Sequence, residues 1–290
     1  MSDVRKVSAG AGAEWLLGGF GLLRKAPAGL LATGAVLGLV TGLPLLLAEA
    51  APGMFLGLQA LIMLLTPVLL GGFVFAMHQV DRDGAASPAH LLEGFRNGRT
   101  LPLMAQLVPQ IAFGIAAVLL LVLMVGIDQL QTLAAAMEAA QGQANPDPEV
   151  FAGLPAGRLL LWMLLVIALV IAVYFYTFVA SPQIMLEGRP AFAAMARSFR
   201  ACLRNLPAML VFILLTLVVA VLMSVAAQVV GALFGLVGGV LVGALIGQIA
   251  LMAVLMPVVI GSIYTAWSQM LAPGAGGPID RSTASSGIEL

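Results

Sequence analysis

The sequence predicts an all-α integral membrane protein with six transmembrane helices, arranged as three parallel repeats of an interfacial helix plus a transmembrane hairpin. Two observations predict the membrane setting: 61% of the 290 residues are hydrophobic and only 9% are charged, and the mean hydropathy is +1.09. A soluble domain carries about 25% charged residues, so this composition excludes a soluble enzyme. A third observation, a signature that recurs before alternate spans, predicts the repeats.

The six predicted spans are the stretches long and apolar enough to cross a bilayer. Backbone groups find no water in lipid, so a spanning segment must be a helix of about 20 apolar residues. None of the six contains Asp, Glu, Lys or Arg, which disfavours a proton- or sodium-coupled pump, because such transporters place an ionisable group near the membrane midplane. The stretches are residues 28–48, 54–77, 103–127, 159–180, 207–230 and 240–267.

The basic residues give the orientation. Of the 13 Lys and Arg residues, all except Arg158 lie on one side of the predicted membrane. The positive-inside rule makes that side the cytoplasm, with both termini there, and the pattern fits a bacterial inner membrane best. A cleavable signal peptide is the alternative for the first span. Residues 28–48 are longer than the roughly 7–15 apolar residues of a signal peptide, so we expect the span to remain.

The repeats are predicted from two kinds of internal similarity. Residues 66–79 align without gaps with residues 256–269. Proline also suits the first turn of a helix, and each odd-numbered span begins with a basic residue three positions before a proline: Arg24 and Pro27, Arg99 and Pro102, and Arg204 and Pro207. We therefore predict a single membrane domain over residues 1–290, with repeats at 14–79, 88–181 and 190–269 and a flexible cytoplasmic tail at 270–290.

An amphipathic helix is predicted before each odd-numbered span. In residues 190–204 apolar residues recur every three or four positions while arginines lie elsewhere, which is typical of a cationic helix in the headgroup plane. Shorter versions lie at 88–97, where Ser87 suits the N-cap, and at 14–25, where three glycines predict the least stable helix. We call these helices the cationic collar. Its residues expected to contact headgroups or a partner are Arg24, Lys25, Arg96, Arg99, Arg197, Arg200 and Arg204.

Two prolines occupy matched positions within the second and sixth spans. Pro67 and Pro257 are each followed four residues later by a glycine, Gly71 or Gly261. A proline bends a helix, so these pairs predict a hinge or a cavity wall, with a fixed kink as the simpler alternative. Polar residues in the spans predict a polar path or bonds between helices. The glutamines assigned to the path are Gln59, Gln106 and Gln248.

Glycines recur every four residues in two series. The first comprises Gly34, Gly38 and Gly42, and the second runs from Gly231 to Gly247. Such spacing gives a helix a smooth groove against which another backbone can pack closely. We predict helix packing within the molecule, with self-association as the alternative.

The chain offers little for catalysis or metal binding. It contains one cysteine, Cys202, and two histidines, His78 and His90, which are too few for a disulfide or a zinc cluster. No G-x-S-x-G, Walker-type glycine loop or H-E-x-x-H motif occurs. We therefore predict that the protein is not an enzyme, has no catalytic, metal-binding or cofactor-binding residues, and binds no nucleic acid.

At the collar and repeat residues the chain resembles an uncharacterised family of proteobacterial six-span inner-membrane proteins known only by a genome locus label. The resembling stretches are residues 15–27, 66–98 and 182–207. More distantly, the chain is similar to the membrane regions fused to some bacterial glycerophosphodiesterases, although their catalytic domain has no counterpart in this sequence. The resemblance implies six spans, and it implies neither an activity nor any functional residue.

Two functions are compatible with these observations. The first is a non-enzymatic inner-membrane protein that acts by association, with the collar contacting anionic headgroups, a partner membrane protein or a second copy of the chain. The alternative is an uncoupled channel, or a small-solute or lipid transporter, with a path between the repeats. A polar cavity that reaches Gln59, Gln106 or Gln248 would favour the alternative, and a dry, closely packed centre would disfavour it.

Overall fold

The structure, a computed structural model, describes residues 4–48, 50–140, 153 and 155–272. Within these ranges it is helical and contains no strand, and most of the predicted tail lies outside them. Short 3₁₀ helices at Leu43–Leu47 and Pro88–Leu92 follow α2 and precede α4. The α-helices of the described ranges are α1 (Ala11–Lys25), α2 (Pro27–Gly42), α3 (Pro52–Asp83), α4 (Glu93–Arg96), α5 (Thr100–Met104), α6 (Leu107–Val125), α7 (Ile127–Ala140), α8 (Ala156–Thr177), α9 (Ala180–Leu186), α10 (Ala191–Arg204), α11 (Leu206–Gly238) and α12 (Val240–Met270).

The prediction of six spans is confirmed, and the chain is a multi-pass membrane protein. Prolines lie in the first turn of α2 and of α11, as expected, because the missing N–H would be unpaired there. The fifth and sixth spans meet at Gly239, whose φ of 85° favours glycine. The segments of the described chain that are long and apolar enough to cross a membrane are Pro27–Leu47, Pro52–Arg82, Thr100–Val125, Ala156–Leu186, Leu206–Gly238 and Val240–Met270.

The last helix is the centre of the fold, since α12 packs against α1, α2, α3 and α11. The glycines of α2 face it: a Cβ at Gly34 would stand 2.5 Å from the Met252 carbonyl oxygen. Likewise, a Cβ at Gly231 of α11 would stand 2.7 Å from the Gly243 carbonyl oxygen of α12. Both glycine series therefore pack helices within the molecule, as predicted, because glycine lets two backbones approach closely in lipid.

The first collar helix, α1, is packed into this core. Trp15 is fully buried. A Cβ at Gly18 would press on the Thr265 side chain of α12, and a Cβ at Gly19 would overlap the Val258 carbonyl oxygen. Two of the three glycines predicted to weaken this helix are therefore the positions at which it crosses α12 at close range.

Most of α6 and α8, in the third and fourth spans, stands apart from the core, although α8 also packs on α10 and contributes Phe175 to the core. α6 and α8 pack mainly on each other, and the Trp162 indole of α8 donates a hydrogen bond to the Ala117 carbonyl oxygen of α6 at 2.9 Å. Few of their residues are buried, namely Leu107, Val125 and Phe175. The three hairpins are therefore not packed alike, and the threefold repeat stays a prediction.

The second collar helix is shorter than expected. Ser87 is its N-cap, as predicted, and its hydroxyl accepts a hydrogen bond from the backbone N–H of Ala89 at 3.3 Å. A 3₁₀ turn and the single turn of α4 follow, and the chain then reverses at Gly98, whose φ is 65°. The segment is therefore a compact turn that packs on α3.

A buried polar network joins the third collar helix, α10, to α9 and α12. The Arg197 guanidinium lies 3.1 Å from a Glu187 carboxylate oxygen and donates a hydrogen bond to the Leu271 carbonyl oxygen at 3.1 Å. The Trp267 indole donates to the other Glu187 oxygen at 2.8 Å. Arg197 is only 5% exposed, so the prediction that it contacts headgroups is wrong. A buried guanidinium is stable only when its charge is paired, and Glu187 is the partner here.

The other collar residues lie at the end of the molecule that carries α1, α4, α9 and α10, which we call the basic end. Lys25 pairs with Asp81 at 3.2 Å and Arg96 with Glu93 at 3.1 Å, both near solvent. Arg99 is half-buried with its guanidinium beside Gly188. The exposed arginines that remain compatible with headgroup contact are Arg24, Arg96, Arg200 and Arg204.

Candidate binding cavity

A cavity of about 420 Å³ lies between α3, α12 and the α6–α8 pair. One face of α3 lines it from Gln59 to Val74, at helical spacing of three or four residues. At 1.5 Å per residue this face is about 22 Å long, most of the roughly 30 Å hydrocarbon thickness of a bilayer. The residues that line the cavity are Thr41, Gln59, Ile62, Met63, Thr66, Pro67, Leu70, Val74, Gln106, Leu107, Gln110, Tyr174, Thr177, Phe178, Ser181, Ile260 and Ile263.

Two helix breaks shape the cavity near the basic end. The third span is interrupted between α5 and α6 at 105–106, and the fourth between α8 and α9 at 178–179. Each break lies three or four residues before a proline, Pro109 or Pro182. A proline ring clashes with the carbonyl four residues earlier and lacks the N–H that would bond to it, so both helices end at that carbonyl.

The break in the fourth span is stabilised from α10. The Ser198 hydroxyl donates to the Phe175 carbonyl oxygen at 2.7 Å and accepts a hydrogen bond from the backbone N–H of Val179 at 3.1 Å. These are the two backbone groups that a continuous helix would have joined directly. A buried hydroxyl therefore replaces the missing helical bond, which makes an interrupted helix tolerable within a span.

A side-chain hydrogen bond connects the two breaks. The Ser181 hydroxyl of α9 donates to the Gln106 side-chain oxygen at 3.1 Å, and the Gln106 amide nitrogen donates to the Leu103 carbonyl oxygen at 3.3 Å. Gln106 is only 4% exposed. The Gln106 amide therefore has a donor for its oxygen and an acceptor for its nitrogen. These two bonds fix the distance between the α5–α6 break and α9 at one end of the cavity.

Two further glutamines line the cavity from different helices. Gln59 lies on α3 and Gln110 on α6. Neither side chain forms a hydrogen bond with any residue in the described part of the chain. Both residues are exposed and lie within spans. An amide without partners in the hydrocarbon of a bilayer costs about 2–7 kcal/mol, so we expect each of these side chains to bind water or a ligand.

The described lining contains no Asp, Glu, Lys, Arg or His. Its polar groups are amides and hydroxyls, and several hydroxyls already bond within their own helices: Thr41 to Leu37, Thr66 to Ile62 and Thr177 to Val173. A bare charge in such a site would have no counterion, which is strongly unfavourable at low dielectric. The site therefore suits a neutral molecule with hydrogen-bonding groups.

The structure brings together some of the predicted path residues and separates others. Gln59, Gln106 and Pro67 line the cavity, whereas the remaining four do not. Gly71 packs against Leu103, Gly261 packs against Gly19, Pro257 is buried within the core, and Gln248 lies on a separate groove. Gln248 therefore lies outside this cavity, and its side chain packs beside Gly42 of α2.

That separate groove has a volume of about 680 Å³ and lies on the outer surface of the α11–α12 hairpin. Small residues form its floor, and Gln228 and Gln248 lie along it. Gly231 and Gly243 within it are the close-contact glycines of the hairpin. The groove is therefore the outer side of a helix packing seam.

The residues that sequence reasoning missed are Ser181, Ser198 and the two break-forming prolines. Pro109 and Pro182 are the signal that could have located the breaks, since each predicts a helix end about four residues earlier. Which side chains then meet across the breaks depends on how the spans pack.

His78 and Cys202 have structural partners at the basic end. A ring nitrogen of His78 lies 3.1 Å from the Tyr264 hydroxyl, which itself donates to an Asp81 carboxylate oxygen at 3.1 Å. Cys202 is fully buried on α10 beside the Phe175 carbonyl oxygen. Burial raises the pKa of the Cys202 thiol to about 12, so the thiol is protonated and unreactive near neutral pH.

No protein-family model, curated protein or solved structure matches this chain. The resemblance described from the sequence therefore stays a prediction, and the cavity with its lining residues is the basis on which a function is assigned to this multi-pass membrane protein.

Proposed function

We propose that the protein is an uncoupled transporter or channel, in which a neutral solute or lipid binds in the cavity between α3 and the α6–α8 pair. The observation that carries the proposal is the pair Gln59 and Gln110, two exposed span residues that line the cavity and whose side chains bond to no residue in the described part of the chain. Of the two functions compatible with the sequence, this is the one that a polar cavity reaching Gln59 and Gln106 favours.

Three further features support a binding site. The volume of about 420 Å³ falls within the 300–1,000 Å³ of typical small-molecule sites. Apolar walls with a few polar groups are the usual composition of such sites. Interrupted spans form the substrate sites of many transporters, and the breaks beside Gln106 and Ser181 lie directly at this cavity.

The uncoupled character of the proposed transport follows from the lining. Ion coupling requires a group that binds the ion or proton within the membrane, and the described cavity lining offers no acidic or basic side chain. We therefore expect passage down the gradient of the solute, with no dependence on pH or sodium gradients.

Cysteine accessibility in the full-length protein tests this proposal. In a Cys202→Ala background, cysteines are introduced by Gln59→Cys and Gln110→Cys, and the protein is reconstituted in liposomes. A water-soluble methanethiosulfonate reagent then reports whether water reaches each position, because only the thiolate reacts.

The matched control is Leu217→Cys, a position in the fifth span that is 59% exposed outside the cavity. We expect both cavity cysteines to react at least about tenfold faster than this control, since a thiol in lipid has a raised pKa. Equal, slow labelling of all three would show that no water reaches the cavity and would overturn the proposed path.

A second role, anchoring to anionic lipid, is favoured by the exposed arginines at the basic end. We propose that this end faces the cytoplasm of a bacterial inner membrane and that Arg200 and Arg204 bind headgroups, at about 1 kcal/mol for each basic residue. The melting temperature should then be higher in phosphatidylglycerol nanodiscs than in phosphatidylcholine nanodiscs. An Arg200→Gln/Arg204→Gln variant should reduce this difference, and an unchanged difference would contradict the role.

The same proposal extends to the predicted repeats. A cytoplasmic basic end would place the three segments 14–79, 88–181 and 190–269 in the same orientation. The aligned stretches 66–79 and 256–269 support common ancestry of the first and third units.

A further inference from the structure

An apolar groove continues the cavity along α6. The groove has a volume of about 440 Å³ and lies between Met63 of α3 and the middle of α6. Met63 and Gln110 line both the cavity and the groove, so the two spaces adjoin. Beyond Gln110 the groove is lined by Ile111, Gly114, Ile115, Val118 and Leu119.

The groove opens to the surroundings of the helix. Ile115 is 57% exposed, Val118 61% and Leu119 57%. α6 is part of a span, so these side chains face the hydrocarbon of the bilayer. A molecule in the groove can therefore enter and leave sideways from the membrane.

Polarity divides the combined space into two parts. The cavity end holds the amides and hydroxyl of Gln106, Gln110 and Ser181, whereas the groove contributes aliphatic side chains over residues 111–119. That stretch of α6 is about 12 Å long at 1.5 Å per residue. A polar site beside an open apolar groove is complementary to an amphiphile with one hydrocarbon chain.

We propose that the ligand is a single-chain amphiphile with a neutral, hydrogen-bonding head. The head bonds to Gln110 and to the Gln106–Ser181 pair, and the acyl chain lies in the groove against Gly114 and Ile115. The head is neutral because no charged side chain lines the described cavity. This inference rests on the proposed function and specifies its substrate class.

The head supplies most of the selectivity. Lipid tails are as apolar as the groove, so moving a chain from bilayer to groove gains van der Waals packing but little hydrophobic free energy. The amide of Gln110, by contrast, finds a partner only when the head or water is present. Removal of this amide should therefore weaken binding more than partial filling of the groove.

The test uses the full-length protein in nanodiscs and a monoacylglycerol that carries a photoreactive diazirine in its acyl chain. After illumination, cross-linked peptides are mapped by mass spectrometry, and monoolein is added as competitor. We expect labelling to concentrate at 111–119, to exceed that of the lipid-facing stretch 214–222 of α11, and to be competed by monoolein but not by glycerol.

Two variants with matched controls make the test specific. Gln110→Leu removes the amide, and Gln228→Leu removes a span glutamine outside the cavity. Gly114→Leu fills the groove, and Gly57→Leu adds the same side chain at another helical glycine; a Cβ at either glycine meets nothing within 4 Å. We expect Gln110→Leu to reduce the competed labelling about fivefold, the effect of one hydrogen bond, and Gly114→Leu to reduce it less, with both controls unchanged.

The outcomes separate this inference from the proposed function. Uniform labelling of α6 and α11, or labelling insensitive to Gln110→Leu and Gly114→Leu, would overturn the amphiphile site even if Gln59→Cys proves water-accessible. Specific labelling in a protein whose Gln59→Cys is inaccessible would support the amphiphile site and overturn the water path. Competition by glycerol instead of monoolein would identify a small polar solute and contradict the inference.

Discussion

Ser181 donates a hydrogen bond to Gln106 at 3.1 Å, and this bond joins two spans at the points where both of their helices are interrupted. Each interruption has a local cause in a proline, but the bond between them is a tertiary contact. It sets the width of the cavity at the basic end, where Gln110 and the start of the apolar groove lie one helical turn further along α6.

The bond between Ser181 and Gln106 should contribute measurably to stability. Ser181→Ala leaves the buried Gln106 oxygen without its donor, which costs about 1–2 kcal/mol. Equilibrium unfolding in mixed micelles measures the free energy of unfolding. Ser224→Ala on α11, where the serine is half-buried at the outer groove, is the control and should change stability by less than about 0.5 kcal/mol.

The ion pair between Arg197 and Glu187 should contribute far more to the free energy of unfolding than the ion pairs near solvent. The two side chains are 7% and 11% exposed, so Glu187→Gln leaves a buried guanidinium without its counterion. We expect a loss of about 3 kcal/mol in the free energy of unfolding. Glu93→Gln, which breaks the pair with the 64% exposed Arg96, should cost at most about 1 kcal/mol; equal losses would contradict the assigned burial.

Replacement by alanine should change the stability in opposite directions at two glycines of α1 that lie two residues apart. A Cβ at Gly19 would overlap the Val258 carbonyl oxygen, whereas a Cβ at Gly21 meets nothing within 4 Å. Gly19→Ala should therefore destabilise by about 1–3 kcal/mol through overpacking. Gly21→Ala should stabilise by about 0.5–1 kcal/mol through the better helix propensity of alanine, and thermal unfolding of both variants in the same detergent distinguishes them.

The buried Cys202 thiol gives stability a definite pH dependence. Burial raises its pKa from an ordinary value of 9.0 to about 12, so between these values the unfolded state loses the proton that the folded state retains. The contribution of the protonated Cys202 thiol to the free energy of unfolding is fully present below pH 9 and is lost as pH rises towards 12. A Cys202→Ala variant should lack this decline, and N-ethylmaleimide at neutral pH should label wild-type protein only after denaturation.

The spans and several helix ends could be predicted from local sequence. Apolar length places the six spans, since lipid enforces internal hydrogen bonding, and Ser87 and Pro27 mark helix starts by cap and first-turn chemistry. The amphipathic pattern of residues 190–204 predicts a helix there, but it could not show that Arg197 would be drawn inward, because Glu187 and Trp267 come from other elements.

The cavity could be predicted only in part. The sequence predicts Gln59, Gln106 and Pro67 as path or hinge residues, and all three line the cavity. Pro257 occupies the position equivalent to Pro67 but lies in the core, because α12 is the packed centre of the fold whereas α3 borders the α6–α8 pair. Gln248 lines a separate groove. Matched sequence positions therefore acquired different environments.

By itself the sequence determined that this protein has six helices long and apolar enough to cross a membrane, where several of its helices begin, and that the six predicted apolar stretches hold no charged residue; each of these is a property of a short segment in lipid. Only the tertiary structure decided which helices pack together, that Arg197 is buried, and that Gln59, Gln110 and Ser181 line a common cavity. Helix association in lipid depends on close shape complementarity between whole surfaces, and such complementarity cannot be read from hydropathy alone.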